Sequence, residues 1–351
     1  MKKHYLAALL AGVGSMGAQA QSSVTLYGLV DTYIEAINHA SAKGGDVVQA
    51  GSGGLSNSRF GVMGTENLGG GTSAFFDLEA GFNSNDGTFA TAGTLFNRTA
   101  AVGLSNKTYG ALSAGLQYTA MYDTLIRYDP MGFAPNYTWF PTTGASDDFS
   151  FKARLANSLK YVGHFGGVGI IADYSFGGDA GSLQSDAAYG AALSYDYAAF
   201  SAALAYDYRN GAITTTGAWT KTSNWSASVL DVLGPVTLMG GYEHYLNEPV
   251  TGASTIAALA FAGVRYQVTP ALKLTTAYYY QINDTAKVSN SWMGVFCSDY
   301  ALSKRTDVYA TLSYAESTRN GNGSYTPVGV TDATAFADNQ TGITVGIRHR
   351  F

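Results

Sequence analysis

Cysteine is almost missing from this sequence. Cys297 stands alone, so one chain can build neither a disulfide framework nor a multi-cysteine metal site. The histidines past residue 20 (His39, His164, His244 and His349) are scattered, with no HxxxH pair, and no metal or other cofactor is expected. Proline is scarce, at 7 residues, and so is charge: 13% of residues are Asp, Glu, Lys or Arg. Ordinary soluble chains carry about 25%. The formal net charge is −5 and no cluster of Lys and Arg occurs, which argues against a nucleic-acid partner. There is no G-x-S-x-G elbow and no partnered histidine, so hydrolytic catalysis is not expected. Past residue 20, no apolar run approaches the ~18 residues that a membrane-spanning helix needs.

The first twenty residues read as a secretory leader. Lys2 and Lys3 form a basic start, Tyr5 to Met16 is apolar, and Ala18-Gln19-Ala20 has the small-x-small form of a cleavage site. Residues 1–20 are therefore expected to be removed, leaving 21–351 as one domain. The leader takes two lysines and no acid with it, moving the net charge from −5 to −7. A secreted chain with few charges and no spanning helix is either a soluble all-β domain or a β-barrel of the outer membrane.

What the chain does have is 43 glycines, 25 tyrosines and a recurring alternation of apolar and small or polar residues. Alternation of period two marks a strand with two unlike faces. In 200–209, Phe200, Ala202, Leu204, Tyr206 and Tyr208 oppose Ser201, Ala203, Ala205, Asp207 and Arg209. In 167–176, Val168, Ile170, Ala172, Tyr174 and Phe176 oppose Gly169, Asp173 and Ser175, with Ile171 the exception. The polar parity is Gly, Ala and Ser with isolated charges, and the apolar parity ends repeatedly in Tyr or Trp. Membrane barrels need such aromatic girdles and a small or polar interior. Short turns also alternate with long polar segments.

The pattern predicts about sixteen strands: 23–37, 58–67, 70–83, 96–106, 109–119, 153–163, 167–176, 188–197, 199–209, 223–233, 235–246, 256–268, 271–282, 292–302, 306–316 and 341–351. The expected fold is all-β, a transmembrane antiparallel barrel in outer-membrane lipid. A barrel of this size leaves an aqueous channel, whose selectivity depends on charges at its narrowest point.

Candidate lumen charges follow from parity. Arg59 faces away from Phe60 and Val62, and Arg154 and Lys160 face away from Leu155, Leu159 and Tyr161. Arg98 is ambiguous, because it shares parity with Val102 and Leu104. Counter-charges are expected from Asp123, Asp129, Asp147 and Asp148 in the long segment 120–152 and from Asp77 and Glu79 on the wall. Each arginine can also be read as a solvated strand end, and each loop aspartate as a turn residue. Cys297 falls on the lumen parity and is expected to be a buried, unreactive thiol.

Several stretches resemble the Gram-negative general porins of the beta-proteobacterial type. They are Ser22-Ser23-Val24-Thr25-Leu26-Tyr27-Gly28, Ser58-Arg59-Phe60-Gly61, Glu66-Asn67-Leu68-Gly69-Gly70-Gly71, Leu78-Glu79-Ala80-Gly81-Phe82, Phe96-Asn97-Arg98, Val102-Gly103-Leu104, Tyr300 to Tyr309 and the ending Val345-Gly346-Ile347-Arg348-His349-Arg350-Phe351. The resemblance implies a homotrimer of sixteen-stranded barrels, a third extracellular loop folded inward to narrow each pore, and passive diffusion of ions and small hydrophilic solutes. It implies that Phe351 is the signal read by the barrel assembly machinery. It also implies an arginine cluster at the constriction, matched here by Arg59, Arg98 and Arg154. The chain departs from the family at Gly115-Leu116-Gln117-Tyr118 and in the aromatic segment 120–152, with Tyr137, Trp139 and Phe140. Those aromatics keep open a substrate-specific channel for a sugar, phosphate or amino acid.

Overall fold

An extended backbone sends successive side chains to opposite sides, so the alternating segments can bury one face and expose the other. The computed structural model describes residues 23–40, 44–138, 151–283, 290–317 and 339–351. Its strands are β1 (Ser23–Ile37), β2 (Val47–Ser52), β3 (Arg59–Gly69), β4 (Thr72–Gly81), β5 (Thr99–Asn106), β6 (Gly110–Tyr118), β7 (Arg154–Phe165), β8 (Val168–Ser175), β9 (Ala188–Tyr197), β10 (Phe200–Asn210), β11 (Lys221–Leu233), β12 (Val236–Glu248), β13 (Thr255–Gln267), β14 (Leu272–Asn283), β15 (Ser291–Ala301), β16 (Thr306–Ser317) and β17 (Asn339–Arg350). One helix, α1 (Ala120–Leu125), lies between β6 and β7.

From β3 onward each strand pairs antiparallel with the next, and β17 pairs back onto β1 from Leu29↔Arg350 to Ile37↔Gly342. The sheet therefore closes. At the seam the Gly28 N–H donates to the Phe351 carbonyl (3.2 Å) and the Phe351 N–H to the Gly28 carbonyl (3.0 Å). The Phe351 ring sits where a Cβ on residue 28 would be, 2.2 Å from that position. The turn joining β3 to β4 needs its glycines, since Gly69, Gly70 and Gly71 all have positive φ.

The two parities sort in reverse of a soluble protein. Val24, Leu26, Leu204, Val229 and Ile343 are exposed, Val24 at 68%, whereas the inward Ser201, Ser226 and Thr344 are buried, Ser201 at 1%. An apolar outer surface of this extent is stable against hydrocarbon, where closure leaves no backbone group unpaired.

The strands lie within a few residues of the sequence expectation, with two additions. The stretch 38–57, read from sequence as a loop, contains β2. It pairs with β1 over Thr32–Ile37, while β3 pairs with β1 over Ser23–Leu29, so β2 and β3 share one position in a wall of sixteen. Between them, Gly53 to Ser58 leaves the wall. Asp31 holds it there: one carboxylate oxygen accepts from the Leu55 (3.0 Å) and Ser56 (2.8 Å) N–H groups, and the other from the Tyr309 hydroxyl (2.6 Å). The second addition is α1, within a segment read as loop. Thr119 is its N-cap, its hydroxyl accepting from the Tyr122 N–H at 3.1 Å.

The interior is not simply water-lined. Met121, Leu125, Tyr128, Phe133 and Tyr137, from the segment after β6, form one buried cluster with the inward Phe261, Tyr279, Met293, Val295, Cys297 and Tyr309. Burial of each such aliphatic or aromatic side chain contributes about 1.5–3 kcal/mol, which is reason enough for the segment to lie on the wall. Ile171, the residue that broke the alternation, packs against this cluster. Cys297 is buried and free.

Candidate functional site

Glu79, pointing inward from β4, is the centre of the charged wall. Its Oε1 accepts from Arg98 Nε at 2.6 Å, and its Oε2 lies 3.3 Å from Arg59 Nε. Tyr27 on β1 donates its hydroxyl to Asp77 at 2.8 Å and also lies 3.2 Å from Glu79. Arg59 donates a second N–H to the Asn57 carbonyl at 3.1 Å. Arg98 lies one residue before β5, with its N–H on the Glu79 carbonyl (3.2 Å), so the parity of that strand does not bind it and its side chain reaches the interior. Arg154, at the start of β7, donates to the Tyr118 hydroxyl at 2.9 Å and lies over the Tyr118 ring at 4.5 Å, with Arg98 at 5.9 Å from the same ring. Stacking of this kind holds guanidinium groups in place without neutralising them.

The opposite side is the segment from Thr119 to Thr138, which makes a series of contacts with inward residues of the wall. The Ala120 N–H donates to Asp173 (2.5 Å) on β8. Asp123 pairs with Lys160, which also donates to the Tyr118 carbonyl at 2.9 Å. Arg127 grips Asp196 on β9 with two bonds, 2.6 and 3.1 Å. The Tyr128 and Ser201 hydroxyls meet at 2.7 Å. Arg265 on β13 donates to the carbonyls of Asp129 (2.7 Å) and Pro130 (2.8 Å). Gly263 makes room for the Pro130 ring, which a Cβ there would meet at 2.4 Å.

Between the two sides lies a cavity of about 300 Å³, lined by Leu55, Ser56, Asn57, Arg59, Glu79, Arg98, Tyr118, Tyr122, Asp123, Ile126, Gly132 and Phe133. Of the sequence candidates, Arg59, Glu79, Arg98 and Asp123 line it. Arg154, Lys160 and Asp77 adjoin it through Tyr118, Asp123 and Tyr27. Asp129 does not belong there, which corrects the sequence expectation. It is fully buried, accepting from the Tyr279 hydroxyl and from the Phe133 N–H (2.6 Å), and so anchors the segment to β14. Burial pushes its carboxyl up to about 6, against those hydrogen bonds. Asp147, Asp148, Trp139 and Phe140 lie outside the described residues.

Sequence reasoning missed the uncharged lining. Leu55, Ser56 and Asn57 come from a segment whose Gly-rich composition reads as plain loop. Tyr122 and Ile126 belong to α1 and its C-cap, which the Thr119 cap and Asp123 in the first turn could have signalled. Tyr122 stacks on Tyr118 (4.3 Å between centroids) and meets Phe133 edge-on (4.9 Å). Burial pushes the Tyr122 phenol up, so it stays neutral at working pH. No group of His, Cys, Asp or Glu among the described residues could hold a metal ion.

The profile of the Gram-negative porin family matches residues 6–320. The chain belongs to the Gram-negative porin family. It is a β-barrel channel of the outer membrane, not an enzyme, and general passive diffusion through the barrel is consistent with its relatives. It is 31% identical over 370 residues to outer membrane porin protein 32 of Delftia acidovorans, and 28% identical over 431 residues to an outer membrane porin protein of Bordetella pertussis, each alignment covering 100% of both chains. Among solved structures it is similar to the anion-selective porin from Comamonas acidovorans. That match has a TM-score of 0.81 and 26% identity, and covers 94% of this chain and 100% of that one. The porin's resemblance to its family, read first from short motifs, thus holds over nearly the whole chain.

Proposed function

We propose that the gap between the arginine wall and the segment 119–138 is the constriction of a general diffusion channel, and that it favours anions. One observation carries this reading: Glu79 serves both Arg59 and Arg98, and Arg154 rests on Tyr118, so the cations beside the cavity outnumber their carboxylate partners. Lys160 and Asp123 compensate each other. Local charge at the narrowest point outweighs the negative charge of the chain as a whole. The solved Comamonas acidovorans relative, described as anion-selective, is in keeping with it.

The finer partner assignments belong to the same proposal. Residues 1–20 act as the secretory leader and Phe351 as the assembly signal. The working unit is a homotrimer, an arrangement that one solved porin of the same fold is described as having. The outer parity supports it. On β1 and β3 to β6 it carries Val24, Leu26, Val62, Leu78, Val102, Leu104, Leu112 and Leu116 and no Tyr or Trp. On β8 to β16 it carries Tyr174, Tyr195, Tyr206, Trp225, Tyr242, Tyr278, Trp292 and Tyr314. Aromatic side chains anchor a barrel at the water–lipid interfaces, and a face covered by another subunit needs none. Single-channel recording of the purified, reconstituted protein tests the function. Ohmic chloride-carrying steps and sugar-permeable liposomes are expected; impermeable liposomes would refute it.

A further inference from the structure

Charge alone does not explain why the constriction is half apolar. Leu55, Ile126 and Phe133 line the same cavity as Arg59 and Arg98. Tyr122 presents a ring already held between Tyr118 and Phe133. Passage of inorganic ions alone does not call for this lining, because they gain nothing from apolar contact.

The guanidinium geometry adds a second requirement. Glu79 takes the Nε edge of both arginines, so their terminal Nη donors are not spent on it; one Arg59 Nη donates to the Asn57 carbonyl, and the other faces no carboxylate partner among the described residues. Guanidinium Nη pairs match the two oxygens of a carboxylate. Asp123, the other acid on the cavity, is paired with Lys160 and adds little repulsion. The cavity, about 300 Å³, is at the small end of the range of roughly 300–1,000 Å³ found for ligand sites.

We infer that the cavity is a binding site for small aromatic carboxylates of the benzoate class, with the carboxylate on Arg59 and Arg98 and the ring against Tyr122, Ile126, Phe133 and Leu55. This rests on the anion-conducting constriction proposed above and names a solute class for it. A ring entering there extends an existing aromatic stack and displaces water from apolar surface. Acetate can use only the arginines, and benzyl alcohol only the rings.

The test is chloride current through the reconstituted protein in a planar bilayer, titrated separately with benzoate, acetate and benzyl alcohol. Benzoate is expected to interrupt the current at a concentration about tenfold or more below acetate, with benzyl alcohol inert. Ile126→Gln is expected to pull the benzoate and acetate concentrations together, and Asn57→Leu, which widens the apolar wall, to spread them further. Equal benzoate and acetate concentrations in the unmodified protein, or a separation that neither substitution moves, would overturn the inference. Absence of chloride current, or a cation-directed reversal potential, would instead remove the diffusion-channel reading beneath it.

Discussion

The two halves of the barrel wall, β1–β7 and β8–β17, share one alternating pattern and do different work. Inward residues of the first half face the cavity, with Arg59, Glu79 and Arg98 on its lining. Inward residues of the second half, such as Ser201, Ser226, Phe261 and Tyr279, are buried beneath the segment 119–138. Outside, the first half is largely aliphatic and the second is studded with Tyr and Trp. Alternation therefore says which side of a sheet a residue faces, not what it meets there. The neighbour comes from elsewhere, inside from a loop and outside, in the assembly proposed above, from lipid or another subunit.

The largest expected effect is on the outer surface. A charge facing lipid near the midplane costs about 2–4 kcal/mol. Leu204→Arg on β10 is expected to lower barrel stability by that amount, measured by urea unfolding in vesicles, while leaving the oligomer intact on native gels. Leu104→Arg on β5 is expected to dissociate the oligomer. Identical behaviour of the two would erase the distinction between the outer faces.

Next comes the anchor of the loop. Asp129 has a raised carboxyl, so its contribution to docking is fully present below its ordinary value of 3.8 and is lost as pH rises through about 6. A shift of this size corresponds to an effect on the order of 3 kcal/mol. Proteolytic nicking within 119–138 is expected to be faster at pH 8 than at pH 5. Asp129→Asn, which keeps an acceptor for the Phe133 N–H, is expected to flatten that dependence.

Two smaller effects separate the inner faces. Neutralising Arg59 and Arg154 together with Gln is expected to lower the chloride-to-potassium permeability ratio about threefold, whereas Arg209→Gln, on the covered half, changes it little. Gly263→Leu with Arg265→Ala removes the seat of Pro130 and two bonds to the loop. Unit conductance is expected to rise roughly twofold as the loop swings from the wall. No change would mean that β13 does not support it.

Most of the barrel was legible because period two is a local property: each strand carries its own two faces, and a lipid-facing surface demands long uninterrupted alternation. The cavity lining was legible only in part. Arg59, Glu79 and Asp123 could be found, because isolated charges on a small-residue face are conspicuous. Arg98 was ambiguous because parity was counted from a strand that begins one residue later. Asp129 was misplaced because a carboxylate in a polar-looking loop reads as solvated, and only Tyr279 and Arg265, 150 and 136 residues away, make it an anchor. Leu55 was hidden by the same cause, since Asp31, itself bound by Tyr309, holds its segment from another strand.

The most direct measurement is the zero-current potential of the purified protein in a bilayer separating unequal KCl concentrations. If the arginine wall governs the narrowest point, the potential takes the sign of chloride flow. A potential set by potassium would contradict it.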